Sequence, residues 1–215
     1  MLDANIRDGI DWLDLGCGHS VLPKWRHESE IDLISRCRVV FGLDFDLNSL
    51  KKHATISARI RGDIARLPFP ESSFDLVTAN MVVEHLDDPE TQFKEVFRVL
   101  RPGGKFIFHT MNVRGYYTVC ARLIPERMKG KMVMLLQERK EDDLFRTHYL
   151  ANSEVAISRL SEAAGFSRHV EMLFNSFPQF RVVPPLVVFE LLWIKLLMAD
   201  SFRRYRSNVI SIMEK

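Results

Sequence analysis

The sequence predicts an α/β three-layer sandwich built on a central, mostly parallel sheet of seven strands. From Ile10 onward, short apolar runs of strand length alternate with longer polar or periodic stretches, as strands alternate with helices in such folds. The first of these runs leads directly into a glycine-rich turn, and parallel sheets bind ligands at the carboxyl ends of their strands. With 215 residues, the chain is expected to form a single domain over 1–215.

The predicted elements follow the apolar runs in chain order. The strands are Ile10–Leu15, Arg38–Leu43, Ala58–Gly62, Phe74–Ala79, Lys105–Met111, His169–Phe174 and Asn208–Met213. The clearest helix is Pro89–Leu100, which carries one apolar stripe at helical spacing and ends before the turn Pro102-Gly103-Gly104. A second helix covers Ser153–Ala164, with Ser153 as its N-cap and Gly165 as its C-cap.

Composition excludes several classes of protein. Thirty Lys and Arg against 28 Asp and Glu give a net charge of +2, which lacks the strong positive field of a dedicated nucleic-acid binder. Cys17, Cys37 and Cys120 form neither an even framework nor a C-x-x-C pair, so a disulfide scaffold is not supported and no metal site is expected. Because the amino terminus also lacks a secretory signal, we expect a cytoplasmic protein.

Two stretches interrupt the alternation and are interpreted as insertions, at 112–149 and 175–207. The first is locally basic between Val113 and Lys140 and also contains several methionines. The second contains the apolar run Leu186–Ala199, which is too short to span a membrane and contains two charged residues. We expect this run to form a helix that packs onto the sheet or a second subunit, lines an apolar pocket, or contacts a membrane surface.

The glycine-rich turn reads Asp14-Leu15-Gly16-Cys17-Gly18-His19-Ser20. Glycines at positions 16 and 18 let the backbone turn tightly and approach a ligand closely. The dinucleotide fingerprint would require a third glycine at the position of Val21, which disfavours pyrophosphate binding.

Three further segments place polar residues after strands. Asp44, followed by Phe45, ends the second strand, where a carboxylate can accept hydrogen bonds from a ribose diol. Asp63 and Ile64 follow the third strand, and Asn80 follows the fourth.

Together these four motifs, in this order, resemble the class I S-adenosylmethionine-dependent methyltransferases, in particular their small-molecule branch, the type 11 methyltransferase domain. The resemblance runs from about Ile10 to Met111 and implies a Rossmann-like sandwich with S-adenosyl-L-methionine as cofactor. It implies that the Asp14–Gly18 loop, Cys17 included, holds the methionine end, that Asp44 takes the ribose, and that Asn80 lies near the methionine moiety. It implies that Asp63 takes the adenine amino group with Ile64 beside the ring, and that Phe45 also contacts the cofactor. Val83-Glu84-His85-Leu86 is similar to the segment that faces the transferred methyl, with His85 as a candidate base.

The sequence also departs from that family. Ser20 stands where a third glycine is common. Only about nine residues precede the first strand, so we expect either that the usual N-terminal cap helices are short or missing, or that another segment covers the site. The acceptor is expected to be a small molecule, apolar or lipid-linked, because both insertions are rich in apolar residues and no Asn-Pro-Pro-Tyr motif for nucleic-acid methylation occurs. A non-catalytic cofactor-binding subunit and a nicotinamide-dependent oxidoreductase remain open alternatives.

Overall fold

The computed structural model describes residues 2–123, 146–175 and 184–215. Its strands are β1 (Asp11–Leu15), β2 (Val39–Asp44), β3 (Ala58–Arg61), β4 (Phe74–Asn80), β5 (Leu100–Met111), β6 (Arg168–Phe174) and β7 (Asn208–Glu214). They form one sheet in the order β3-β2-β1-β4-β5-β7-β6. The first five strands pair in parallel, and β7 is antiparallel to both β5 and β6. The predicted mostly parallel seven-stranded sheet is therefore confirmed.

Helices connect the strands and cover both faces of the sheet. They are α1 (Leu2–Asn5), α2 (His27–Ser35), α3 (Leu47–Lys52), α4 (Pro89–Val99), α5 (Tyr116–Leu123), α6 (Glu154–Ala164) and α7 (Pro184–Leu197). The predicted caps of α6 are confirmed: Ser153 accepts a hydrogen bond from the Ala156 N–H, and Gly165 adopts the left-handed conformation with φ of 99°. The predicted helix within 186–199 is also present, as α7.

Each predicted strand exists, and its ends lie within one residue of the predicted ones except at the start of β5. β5 begins at Leu100 and not at Lys105, because Leu100 pairs with Phe74 before the register shifts between Phe74 and Leu76. The preceding helix consequently ends at Val99, and the segment Pro102-Gly103-Gly104, predicted as a turn, lies within the strand. A bulge of this kind keeps the two strands paired despite an irregular segment.

The core consists of two apolar layers, one on each side of the sheet. All residues of β1 are buried. Leu13 and Leu15 pack with Phe106 under α4, whereas Trp12 faces the other side with Leu76. Because successive side chains of a strand point to opposite faces, a strand covered on both faces contributes to both layers.

The amino edge of the sheet, where the parallel strands begin, is closed by an ion-pair network. Asp11 accepts from Arg38 and, at 2.7 Å, from Arg101, whose second nitrogen lies 2.5 Å from Asp75. The α1 segment lies at this same edge, because Asp3 pairs with Arg36 at 2.6 Å and Asn5 accepts from Lys105 at 2.9 Å.

The predicted insertions are described in part. The first contains α5, and the second contains α7 and the 3-10 turn Asp200–Tyr205. The remainder, 124–145 and 176–183, including most of the basic, methionine-containing stretch, lies outside the described residues. Within the described ranges, every helix is too short or too polar to cross a bilayer.

Candidate functional site

The candidate site lies at the carboxyl edge of the sheet, where β1, β2 and β4 end. The strand order reverses between β1 and β4: β2 and β3 continue to one side, and β4 and β5 to the other. In open parallel sheets the connections after such neighbouring strands run to opposite faces, which leaves a crevice that binds ligands. Each residue predicted for the site falls on or directly after one of the strands β1 to β4.

The loop after β1 is fixed to the end of β2. The N–H groups of Gly16 and Cys17 both donate to the Leu43 carbonyl, at 2.7 and 3.2 Å. Gly16 and Gly18 have φ values of +59° and +54°, in the left-handed region that favours glycine. A Cβ on Gly16 would lie 2.3 Å from Val82 Cγ2, whereas a Cβ on Gly18 would meet open space among the described residues. Packing therefore requires Gly16, while Gly18 presents bare backbone that a ligand can approach.

The Asp44 carboxylate joins this loop to the turn that follows β2. Its Oδ2 accepts from the Gly18 N–H at 2.9 Å, and its Oδ1 accepts from the Asp46 N–H at 2.8 Å. A carboxylate has about four acceptor positions, so each oxygen can take a further hydrogen bond from a ligand. The helix-capping role belongs to Asp46, which accepts from Asn48 and Ser49 at the start of α3. Asp44 is thus available for two adjacent hydroxyl groups.

The residues after β2 and β3 supply an aromatic ring, an aliphatic side chain and a second carboxylate. Phe45 is 68% exposed, with the Arg61 guanidinium 5.5 Å from its ring centroid. Asp63 is exposed, and its Oδ1 accepts from the Ala65 N–H at 2.9 Å, while Ile64 packs partly against the core. Because Asp44 and Arg61 are paired in register, these residues leave the sheet side by side. The exposed ring of Phe45 and the aliphatic side chain of Ile64 can together hold a planar nucleobase.

Asp14 lies beneath the loop. It is 4% exposed, and its Oδ1 accepts from the Thr78 hydroxyl at 2.5 Å; that hydroxyl oxygen accepts in turn from Trp12 Nε1 at 2.7 Å. Burial raises the pKa of Asp14 to about 7, although the hydrogen bond from Thr78 acts in the opposite direction. The predicted contact between Asp14 and the methionine end of a cofactor stays a prediction.

Cys17 fills space between the loop and β2. A Cβ on Gly42 would lie 2.8 Å from the Cys17 sulfur, so the absence of a side chain at Gly42 makes room for this thiol. Burial, together with the Asp14 and Asp44 carboxyls, raises the thiol pKa far above its usual range. The thiol is therefore unsuited to act as a nucleophile, and any contact with a cofactor would come from the Cys17 backbone.

Asn80, the last residue of β4, is exposed and is held by a histidine from β5. His109 Nδ1 lies 2.8 Å from Asn80 Oδ1, and His109 Nε2 lies 3.1 Å from Asn208 Oδ1. The buried Asn208 Nδ2 lacks a hydrogen-bond partner among the described residues. Burial also lowers the pKa of His109, so the ring is neutral and donates from one nitrogen only. Reversal of the Asn208 amide satisfies both ring nitrogens of His109: Asn208 Nδ2 donates to Nε2, and Nδ1 donates to Asn80 Oδ1.

The segment after β4 carries the candidate base. His85, in the 3-10 turn Val83–His85, places Nδ1 2.9 Å from the Arg146 carbonyl oxygen. A carbonyl only accepts, so Nδ1 carries a proton, and Nε2 is the ring nitrogen that can act as a base. The neighbouring Glu84 is 2% exposed and accepts from the Thr110 hydroxyl at 2.7 Å, which fixes the turn to β5.

Sequence reasoning missed the buried partners of these residues. It assigns neither Thr78 nor His109 to the cofactor site, and it treats Glu84 only as a neighbour of His85. The signal that could have revealed Thr78 and His109 is a polar residue within an otherwise apolar strand. The described residues contain no group of three or more His, Cys, Asp or Glu side chains placed to hold a metal ion.

Comparison with known proteins shows which family the segment that forms this edge resembles. Residues 13–108 match the model of a family described as a methyltransferase domain. A probable S-adenosylmethionine-dependent methyltransferase of Mycolicibacterium smegmatis is 38% identical over 108 residues, which cover 48% of this chain and 39% of the relative. A demethylmenaquinone methyltransferase of Anoxybacillus flavithermus is 32% identical over 118 residues, covering 50% of this chain and 47% of the relative. The chain thus spans less than half the length of these curated relatives.

The fold is shared over nearly the whole chain. A crystal structure of a methyltransferase from Archaeoglobus fulgidus, described as dependent on S-adenosylmethionine, superposes with a TM-score of 0.62 at 14% identity. The superposition covers 99% of this chain and 89% of that one. The likeness confirms the Rossmann-like fold predicted from the sequence.

Proposed function

Because residues 13–108 form a class I S-adenosylmethionine-dependent methyltransferase domain with S-adenosylmethionine as its cofactor, we propose that this protein transfers the cofactor's methyl group to a small, apolar acceptor. The observation that supports this most is the Asp44 carboxylate, which ties the glycine loop to the end of β2 and still has acceptor positions for a ribose diol. Gly18 beside it offers bare backbone. The domain is proposed to comprise 1–215, with insertions after β5 and β6.

The residues of the carboxyl edge fit the cofactor at three places. The Asp14–Gly18 loop and Asn80 surround the position proposed for the methionine end. The Asp44 carboxylate binds the ribose hydroxyls, and Asp63 accepts from the adenine amino group while Phe45 and Ile64 contact the ring. A base held between apolar side chains gains both burial of its faces and a defined orientation.

The bound cofactor supplies a methyl group that its sulfonium already makes electrophilic. The chain must hold an acceptor atom in line with that carbon at near-attack distance, about 3–3.5 Å, and keep water out. Where the acceptor must also lose a proton, His85 Nε2 is the proposed base, because the Arg146 carbonyl fixes the opposite tautomeric site. His109 is a positioning residue, since it acts through Asn80.

An apolar acceptor is supported by the insertions. The described parts, α5 and α7, carry large apolar side chains at the surface, among them Val119 and Phe189. The relative named a demethylmenaquinone methyltransferase is compatible with a small-molecule acceptor of this kind. The three free cysteines fit a reducing, cytoplasmic location.

Turnover tests the proposal. The protein is incubated with methyl-labelled S-adenosylmethionine and one of two sets of acceptors. One set contains apolar phenols and quinols, and the other contains polar amines. Methyl incorporation into the apolar set supports the proposal, and incorporation into the polar set alone contradicts the assigned acceptor class. Calorimetry with S-adenosylhomocysteine and NADH accompanies it, and binding of NADH alone would overturn the cofactor assignment.

A non-catalytic, cofactor-binding subunit is the second candidate. It is favoured by the position of α1, which is bonded to Arg36 and Lys105 at the amino edge, so this helix does not cover the cofactor crevice. Binding of S-adenosylhomocysteine without turnover on any acceptor would support this candidate over methyl transfer.

A further inference from the structure

Helix α7 turns most of its apolar residues from Val187 onward outward. Its inward side consists of the buried Glu190 and Leu197, with Val187 and Ile194 half-buried at the intervening helical spacing. The exposed side chains of the helix are nearly all apolar: Val188, Phe189, Leu191, Leu192, Trp193 and Leu196, with Lys195 as the single charge. A helix that faces water normally shows the reverse arrangement, with its polar residues outside.

Polar contacts fix this orientation. Glu190, only 5% exposed, accepts from the Tyr116 hydroxyl of α5 at 2.5 Å. At the other end, the Arg206 guanidinium donates to the carbonyls of Leu197 and Met198, at 3.0 and 2.9 Å, and thereby caps the helix. Rotation of α7 to hide its apolar side would break the Tyr116 bond and turn the Glu190 carboxylate away from its partner. The outward apolar face is therefore a built feature of the fold.

The charges on this helix and in the turn that follows it favour an anionic surface. Lys195 lies among the exposed apolar residues, and the turn Asp200–Tyr205, which contacts the helix, carries Arg203 and Arg204. Arg203 pairs with Glu154 at 3.2 Å, and the exposed Asp200 lies 3.5 Å from Arg206. None of the described residues forms an ion pair with Lys195 or Arg204. If a second copy covered the face, two sets of these cations would approach each other, whereas lipid phosphates would neutralise them.

The dimensions favour a position along the bilayer surface. A helix of 14 residues is about 21 Å long, which is shorter than the roughly 30 Å hydrocarbon core. Trp193 and Lys195 are residue types that settle at the boundary between lipid headgroups and acyl chains. We propose that the outward face of α7 inserts into the interface of a membrane that contains anionic lipids. Membrane binding goes beyond the proposed function, and the inference rests on α7 and the turn after it.

Vesicle co-sedimentation of the full chain tests the proposal. Vesicles of phosphatidylcholine with phosphatidylglycerol should bind the protein, and vesicles of phosphatidylcholine alone should bind it more weakly. Higher salt should reduce the binding but not abolish it, because the apolar contribution is not screened. The variant Phe189→Gln, Leu192→Gln should bind at least about tenfold more weakly, since these side chains are 70% and 60% exposed and contribute apolar area mainly to the membrane.

Matched controls distinguish insertion into a membrane from association with a second copy of the chain. Ile31→Gln replaces an exposed apolar residue on α2 and should leave vesicle binding unchanged. Vesicles with brominated acyl chains should quench the wild-type tryptophan emission and have little effect on Trp193→Phe. Equal binding by the double variant, or no binding to anionic vesicles, would overturn the proposal. If the wild type forms a concentration-dependent dimer and binds no lipid, and the double variant is monomeric, the face binds a second copy of the chain. Binding of S-adenosylhomocysteine is expected to be the same in all variants, which keeps this test separate from that of the proposed function.

Discussion

Asp11 and Asp14 lie on the same strand, three residues apart, and are 2% and 4% exposed. Their pKa values nevertheless shift from the ordinary value in opposite directions. Burial tends to raise both pKa values. At Asp11 the hydrogen bonds from Arg38 and Arg101 outweigh burial and hold the pKa below its ordinary value. At Asp14 the opposing contact is a neutral hydroxyl from Thr78, and the pKa rises to about 7. At the amino edge of the sheet, arginines thus neutralise the charge of the buried Asp11 carboxylate. Near the carboxyl edge, Asp14 is held by a neutral hydroxyl.

The glycines of the two edges show the same contrast. Gly9 and Gly103, near the amino edge, and Gly18, at the carboxyl edge, all have positive φ, and at each a Cβ would meet open space among the described residues. Of these three, only Gly18 donates its N–H to a carboxylate that also has acceptor positions for a ligand, Asp44. Ion pairs thus close one edge of the sheet, and the other edge is where we propose that the cofactor binds.

The largest effect is expected for Gly16→Val. The new side chain would collide with Val82 and would impose a left-handed conformation on a β-branched residue. Strain and overpacking together should lower the free energy of unfolding by about 3–5 kcal/mol, measured by urea denaturation. Gly9→Val is the control, because φ is +80° there and a Cβ meets open space among the described residues, so only the conformational strain should appear. Equal losses in the two variants would mean that packing against Val82 is unimportant.

The two aspartates should respond to pH in opposite ways. The stability that protonated Asp14 contributes is complete below pH 3.8 and is lost as the pH rises through about 7. Asp14→Asn should remove that loss, so that at pH 8 the variant is more stable than the wild type, by at most about 4 kcal/mol. Asp11 contributes above pH 3.8, and its stabilisation is lost as the pH falls. Asp11→Asn should therefore destabilise the protein at pH 8, by about 3 kcal/mol. The same sign of effect for both variants at pH 8 would contradict the comparison.

The proposed ribose contact predicts a loss of affinity that exceeds the loss of stability. Asp44→Asn keeps the shape of the side chain, but it removes the charge and one of two backbone hydrogen bonds, because the amide nitrogen cannot accept from the Gly18 or Asp46 N–H. It should weaken S-adenosylhomocysteine binding by about 1.5–3 kcal/mol in calorimetry and lower the free energy of unfolding by about 1 kcal/mol. Asp46→Asn is the matched control, since asparagine is an equally good N-cap for α3 and Asp46 is not assigned to the ligand. Equal affinity of Asp44→Asn and the wild type would remove Asp44 from the site.

The smallest expected effect compares Gly18→Ala with Gly103→Ala. Both positions have positive φ without a neighbouring atom in the described residues, so each substitution should cost about 1–2 kcal/mol of stability. Only Gly18→Ala should also weaken S-adenosylhomocysteine binding, because its methyl group would occupy space left for the ligand. If both variants bind alike, the bare backbone of Gly18 does not face the cofactor.

The strands and their polar ends could be predicted because the signals are local. Apolar runs mark the buried strands, and Asp44 and Asn80 interrupt the apolar character where β2 and β4 end. The early start of β5 could not be predicted, since it depends on pairing between Leu100 and Phe74 across a bulge.

Long-range partners also could not be read from the sequence. Thr78 lies 64 residues from Asp14, and Asn208 lies 99 residues from His109, so only the folded sheet brings each pair together. For α7, the apolar run predicted a helix but not its orientation. The contact between Glu190 and Tyr116 of the other insertion decides which side faces outward.

Hydrogen exchange with and without S-adenosylhomocysteine tests most directly the claim that the carboxyl edge binds and the amino edge stabilises. We expect the ligand to increase protection of the backbone in residues 16–20, 44–46, 63–65 and 80–85. Exchange should be unchanged in residues 3–11, 36–39 and 101–105, where the ion pairs of Asp11 close the sheet. Protection confined to the amino edge, or none at the glycine loop and Asp44 under saturating ligand, would contradict the claim.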